Sequence, residues 1–198
     1  MKKVIIENKR RIFDDFFRID EAHLRYEKFD GRMSPVVRRL NFERGDSVAA
    51  LIFNTSTRRI ILVNQFKYPA FEKGPGWITE TMAGTVGEGE SPESAVRREM
   101  LEETGYSPRS LEHVSTFYVS PGGTSERIIL YYAEVDDDCK VGAGGGEAGE
   151  DEDIINVEMT LGEAMTQVES GDIADAKTII GILWLHKRLT RTGGTTPA

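Results

Sequence analysis

Glu99, Glu102 and Glu103, in the run "RREMLEETGY" at 97–106, are the side chains best placed to do chemistry. On a helix their i, i+3, i+4 spacing puts three carboxylates on one face. Like charges so placed repel by about 0.2–0.5 kcal/mol per pair. A hard divalent cation would convert that repulsion into binding, because Mg²⁺ takes oxygen ligands while keeping several of its waters. A rigid helix offers such ligands without the entropy of ordering a loop. Three glutamates alone also fit a solvated helix face, and Arg98, four residues before Glu102, relieves part of the repulsion as an i,i+4 pair.

The flanking sequence supplies the elements that would hold this face in place. Ser91 and Pro92 start a helix as N-cap and first helical residue, Glu93 suits its dipole, and Gly105 stops it after about Thr104. Upstream, "SVAALIFN" and "RIILVNQF" flank the polar turn "TSTRR" and read as buried strands, and "WITETMAG" reads as a short strand ending at Gly84. The first 45 residues read as short strands, with Asp30-Gly31 as a hairpin signal. "LEHVSTFYVS" and "RIILYYAEVD" are two more strands around "PGGTSE". A Gly-rich acidic loop covers 136–153, followed by a strand at "INVEMT" and two helical stretches, "LGEAMTQVESG" and "DAKTIIGILWLHKRL". The fold class is α+β, a mixed sheet with helices on its faces. The expected division is a β-strand module over 1–45, a main domain over 46–190 and a flexible tail over 191–198.

A net charge of −8 over 198 residues argues against nucleic acid as a partner, since phosphate backbones need a basic face. Cys139 is the sole cysteine, so no intrachain disulfide forms, and its acidic neighbours Asp136–Asp138 would raise a thiol pKa. The apolar run near the start is too short for a signal-peptide core, and no run approaches the ~18 residues that span a membrane. A cytoplasmic location is expected.

The spacing extends beyond the glutamates. Gly84, Glu90, Arg98-Glu99-Met100-x-Glu102-Glu103-x-Gly105-Tyr106 resembles, at every defined position, the signature of the Nudix hydrolases. The resemblance implies the Nudix fold and hydrolysis of a pyrophosphate bridge, whose oxygens repel incoming hydroxide until divalent cations neutralise them. It implies Mg²⁺ as cofactor, with Mn²⁺ as a second candidate, held by Glu99, Glu103 and the carbonyl of Ala83. Glu102 would assist, Arg98 would orient the glutamates, Glu90 would support the shell from its loop, and Gly84 would permit a tight strand-to-loop turn.

Pro121, 16 residues beyond Gly105, and "MSPVVRRLNFERG" resemble the ADP-ribose pyrophosphatase branch, which cleaves nucleoside diphosphate sugars. Without the box, "SPGGTSE" would read as an ordinary turn. In "EDEDI" the resemblance makes Glu152 a further metal ligand and Glu150 the base that activates water, although Gly-rich acidic tracts are commonly mobile. Phe16, Arg39 and Lys67 fall where relatives hold base and phosphates, with Lys67 departing from an arginine, and Glu126 falls where a terminal sugar is bound; each also fits plain packing or surface. Relatives are homodimers whose N-terminal strands cross to the partner copy. The implied reaction converts ADP-ribose to AMP and ribose 5-phosphate. Two readings stand beside it: a GDP-mannose hydrolase of the same family, which "ADAKT" resembles, and a nucleotide-sensing module without catalysis.

Overall fold

The computed structural model describes residues 2–146, 149 and 152–191. Its contacts divide the chain into a first unit, Met1–Asp46 with Tyr118–Arg127, and a second, Ser47–Phe117 with Ile128–Ala198.

The first unit is a three-stranded antiparallel sheet in the order β1 (Val4–Asp14), β2 (Arg18–Tyr26), β3 (Val37–Glu43). Its interior is ionic more than apolar. Asp20 and Glu21, both buried on β2, take Lys9 at 3.0 Å and Arg11 at 3.1 Å, and Arg10 at 2.8 Å together with Arg38. Every residue of β1 is exposed, and its pairing with β2 slips between Ile6 and Asn8 and again between Arg11 and Phe13. Asp30-Gly31 forms a tight turn closed by a bridge between Glu27 and Met33. The segment 118–127 groups with this sheet because Thr124 bridges to Phe42 and Ser125 bonds Asn41 and Glu43, at 3.0 and 2.6 Å.

The second unit is built on β4 (Ser47–Asn54) and β5 (Arg59–Phe66), which are buried almost throughout, as the unbroken apolar runs require. The sheet order is β10-β5-β4-β9-β8, with β8 at Ser110–Tyr118, β9 at Arg127–Val135 and β10 at Ile155–Met159. β4 runs parallel to β9 and antiparallel to β5, so the sheet is mixed. Val48, Ala50 and Ile52 pack on one face with Ala95, Val96 and Met100; Leu51 packs on the other with Leu161, Ile182 and Leu185. Each such aliphatic side chain, fully buried, contributes about 1.5–3 kcal/mol. The α+β sandwich expected from the sequence is the fold observed.

The strand expected at "WITETMAG" is two. β6 (Trp77–Glu80) pairs with β5, the chain crosses over at Thr81, and β7 (Met82–Thr85) pairs with β4. A single turn, α1 (Tyr68–Phe71), precedes them. The helix α2 covers Pro92–Glu99 and then widens to π-helical geometry over Met100–Thr104. On the opposite face, α3 (Leu161–Ser170) opens with a reciprocal cap between Thr160 and Glu163, and α4 spans Ala176–Arg191. Arg191, expected in the tail, is therefore helical, and the rest of that tail lies outside the described residues. None of the described helices is long and apolar enough to cross a membrane.

Candidate active site

The sequence places Arg98 one residue before the end of α2, and its guanidinium organises the carboxylates around it. It forks onto Glu90 with two bonds of 3.2 Å, reaches Glu102 and Glu99 at 2.9 Å each, and donates to the Thr85 carbonyl at 3.4 Å. A planar five-donor group suits this fan of acceptors; an ammonium would not. The fork, joined by the Gly87 N–H, holds the Glu90 carboxyl below its ordinary range. The i,i+4 relief expected between Arg98 and Glu102 is thus present.

Gly84 acts differently from the turn expected of it. It lies within β7, and a Cβ there would fall 1.9 Å from Glu99 Cδ and 2.0 Å from its Oε1. The missing side chain is the space the carboxylate occupies. Burial raises the Glu99 pKa, Arg98 works against that, and Glu102 and Glu152 add to it.

Glu103 is 3% exposed, and its Oε2 is buried with no hydrogen-bond partner. Burial pushes its pKa up to about 8; the Lys67 ammonium opposes the rise, whereas Glu99, Glu80 and Glu152 reinforce it. The glutamates also sit at the C-terminal end of their helix, where the dipole disfavours negative charge. All these costs fall on anions and would be reversed by a cation. The donor chemistry fits a hard divalent ion: carboxylate oxygens, one of them buried and unbonded, with the Ala83 carbonyl on the neighbouring strand as an oxygen of the same class. Among the described residues, no three acidic, histidine or cysteine side chains converge closely enough to enclose a metal by themselves. Glu99 leans on Arg98 instead, as mutual repulsion with Glu103 and Glu152 dictates.

The glycine-rich loop after β9 closes the end of this helix. Gly145 and Gly146 donate their N–H groups to the Glu103 and Glu102 carbonyls at 2.8 and 3.1 Å, and Lys140 Nζ and Asn156 Nδ2 reach the Thr104 carbonyl at 2.6 and 3.0 Å. These donors take up carbonyls that a helix end leaves open. The loop lies so close to Gly105 (φ 76°) that a Cβ there would meet the Gly142 oxygen at 2.2 Å and the nitrogen of Gly144 (φ 70°) at 2.9 Å. The stretch through Gly146 is therefore a docked cap, not the free acidic tract that composition suggests. A Cβ on Gly146 would touch Glu152 at 2.6 Å, which ties Glu152 to the same cap. Glu150, the expected base, lies outside the described residues.

Lys67 stands immediately before α1 and acts electrostatically on Glu103, within the same unit. Phe16, Arg39, Pro121 and Glu126 belong to the first unit. Phe16 is 85% exposed, edge-on to Phe17 at 4.7 Å. Arg39 is an exposed β3 residue whose guanidinium donates to the Arg38 carbonyl at 2.9 Å. Pro121 sits in an exposed turn closed by the Thr124 N–H on the Ser120 carbonyl at 3.0 Å, and Glu126 is buried beside Arg44, 3.5 Å away. Sequence reading missed Glu80, a buried carboxylate that presses on Glu103, and its partner Lys177.

A family model described as NUDIX domain matches residues 43–179. The chain is 36% identical over 179 residues to an ADP-ribose pyrophosphatase of Escherichia coli (strain K12), covering 90% of this chain and 85% of that protein. It is 38% identical over 149 residues to a GDP-mannose pyrophosphatase of Cronobacter sakazakii (strain ATCC BAA-894), covering 74% of this chain and 76% of that one. Among solved structures, one titled as an ADP compounds hydrolase superposes with a TM-score of 0.74, covering 98% of this chain and 97% of the other at 18% identity, a likeness of fold.

Proposed function

The chain belongs to the Nudix family, and from that premise we propose that it is a Mg²⁺-dependent hydrolase of nucleoside diphosphate sugars, with ADP-ribose as the substrate. The observation that carries this reading is Glu103: a carboxylate buried among other carboxylates, with one oxygen unbonded and its proton held up to about pH 8. Such a group is costly unless a cation compensates it. The 36% identical relative, aligned over 90% of the chain, supports ADP-ribose as the substrate.

Glu99, Glu103, Glu152 and the Ala83 carbonyl would hold the ion. A divalent cation, when bound, neutralises charge on the diphosphate oxygens and makes an attacking water more acidic. Arg98 fixes Glu99 and Glu102 in place and braces them against Glu90. Glu150 takes the proton from the attacking water; the new bond forms at one phosphorus and the bridging oxygen leaves with the other. AMP and ribose 5-phosphate are released.

A panel of sugar nucleotides, with released phosphate measured after phosphatase coupling, tests this. ADP-ribose with Mg²⁺ is expected to give AMP and ribose 5-phosphate in equal amounts, and a chelator to abolish the reaction. A second reading, GDP-mannose as substrate, is favoured by the 38% identical relative and wins if that compound turns over far faster. Calorimetric binding of ADP-ribose without AMP over hours would identify a sensing module instead.

The working form is a homodimer joined through the first unit. Val4, Ile6 and Phe13 on β1 are 59%, 60% and 51% exposed, an apolar load that a lone sheet leaves in water. Sedimentation equilibrium is expected to return twice the 22.1 kDa chain mass; a monomer at micromolar concentration would refute this part of the proposal.

A further inference from the structure

At Thr81 the chain changes neighbours: Glu80 is registered against Val63 on β5, and Met82 against Ala50 on β4. Thr81 is fully buried at this crossing, so its backbone N–H needs a partner. The partner comes from far along the chain. Thr81 N–H donates to Thr178 Oγ1 at 2.8 Å, in the first turn of α4. Thr178, also fully buried, is fixed in turn by Asp175, whose Oδ2 accepts its N–H at 3.0 Å and its hydroxyl at 2.5 Å.

The neighbouring residue on each side repeats the grip. Lys177 closes an ion pair with Glu80 Oε2 and another with Asp175 at 3.0 Å. The Lys177 and Glu80 side chains are only 11% and 8% exposed, and the second Glu80 oxygen has no hydrogen-bond partner. Lys177 is thus the anchor of the Glu80 carboxylate. A buried ion pair is a weak source of stability, since well-packed apolar groups do as well or better; what it imposes is one geometry.

That geometry is inherited two and three residues downstream, by Ala83 and by Gly84, against which the Glu99 carboxylate lies. We propose that Asp175, Lys177 and Thr178 form a latch that sets where the chain crosses from β5 to β4, making Lys177 and Thr178 positioning residues for cation binding at Ala83 and Glu99. The inference rests on reading those two residues as cation donors. It assigns to the start of α4, on the opposite face of the sheet from α2, control over the oxygen donors of the site.

Mn²⁺ titration of the substrate-free protein, followed by loss of the free-ion electron paramagnetic resonance signal, reads this without turnover. T178V and K177M are expected to weaken Mn²⁺ binding about tenfold, and T178S, which keeps the hydroxyl, to stay within about twofold of the unaltered chain. L185A, trimming the core face of the same helix, is expected to lower the melting temperature at least as far while leaving the Mn²⁺ constant unchanged. A folded T178V or K177M that binds Mn²⁺ normally overturns the latch, as does an L185A that weakens binding equally. If T178V fails to fold, K177M decides; failure of both would show a role in folding and overturn a role in positioning. No Mn²⁺ binding by the unaltered chain overturns the reading of the site and the latch with it, whereas normal binding retained by the latch variants overturns the latch alone.

Discussion

Glu103→Gln is expected to lower turnover by about three orders of magnitude, the loss of a cation ligand being worth several kcal/mol in the transition state. The same change is expected to stabilise the cation-free protein at high pH. Burial among carboxylates raises the Glu103 pKa from 4.5 to about 8. The folded value lies above the unfolded one, so the folded chain holds this proton across that window while the unfolded chain has released it. The contribution of this group to stability is therefore greatest at the acid side and falls as pH rises from 4.5 through about 8. At about 1.4 kcal/mol for each tenfold change in proton affinity, the loss reaches several kcal/mol. Glutamine mimics the neutral acid and does not suffer it. Urea unfolding in chelator is expected to show the two proteins alike at about pH 4 and the variant ahead at pH 9. Mg²⁺ must displace the same proton, so its affinity is expected to strengthen with pH and level off above about 8. Turnover of the variant at the unaltered rate would defeat the assignment.

Gly84→Ala is expected to cost on the order of 10²-fold in activity with little change in melting temperature, because it moves a cation ligand without opening the core. The added Cβ would stand 1.9 Å from Glu99 Cδ. What it strikes is the far end of a flexible side chain, so the carboxylate swings away while backbone pairing of Val48 with Gly84 survives. Kinetics and a thermal melt on the same sample separate the outcomes. A variant that loses activity and cooperative folding together would show that Gly84 serves the strand and not Glu99.

Much of the second unit was legible because its signals are local. The apolar runs of β4 and β5, the Ser91-Pro92 start of α2 and the Gly105 stop each state their structure within a few residues. The spacing of Arg98 and Glu102 likewise foretold their ion pair. What escaped depends on residues distant in sequence. The last helical turn widens at Met100–Thr104, where donors from 140–156 take its carbonyls, so the glutamates do not lie on the regular helix that their spacing suggests. The crossing at Thr81 is anchored by Thr178, 97 residues away, and nothing in "WITETMAG" announces it. Gly84 was read as a turn because the carboxylate it accommodates arrives from another element.

The two slips in β1 also bear on what this edge strand refuses. Eleven residues with one open margin form a template onto which further chains could add indefinitely, as in fibres. Each slip bends the strand and breaks the even rhythm of its free amide and carbonyl groups, between Ile6 and Asn8 and between Arg11 and Phe13. A flat foreign strand finds no continuous run to zip along. Only a surface with kinks to match could seat there, so the slips guard this edge against runaway polymerisation.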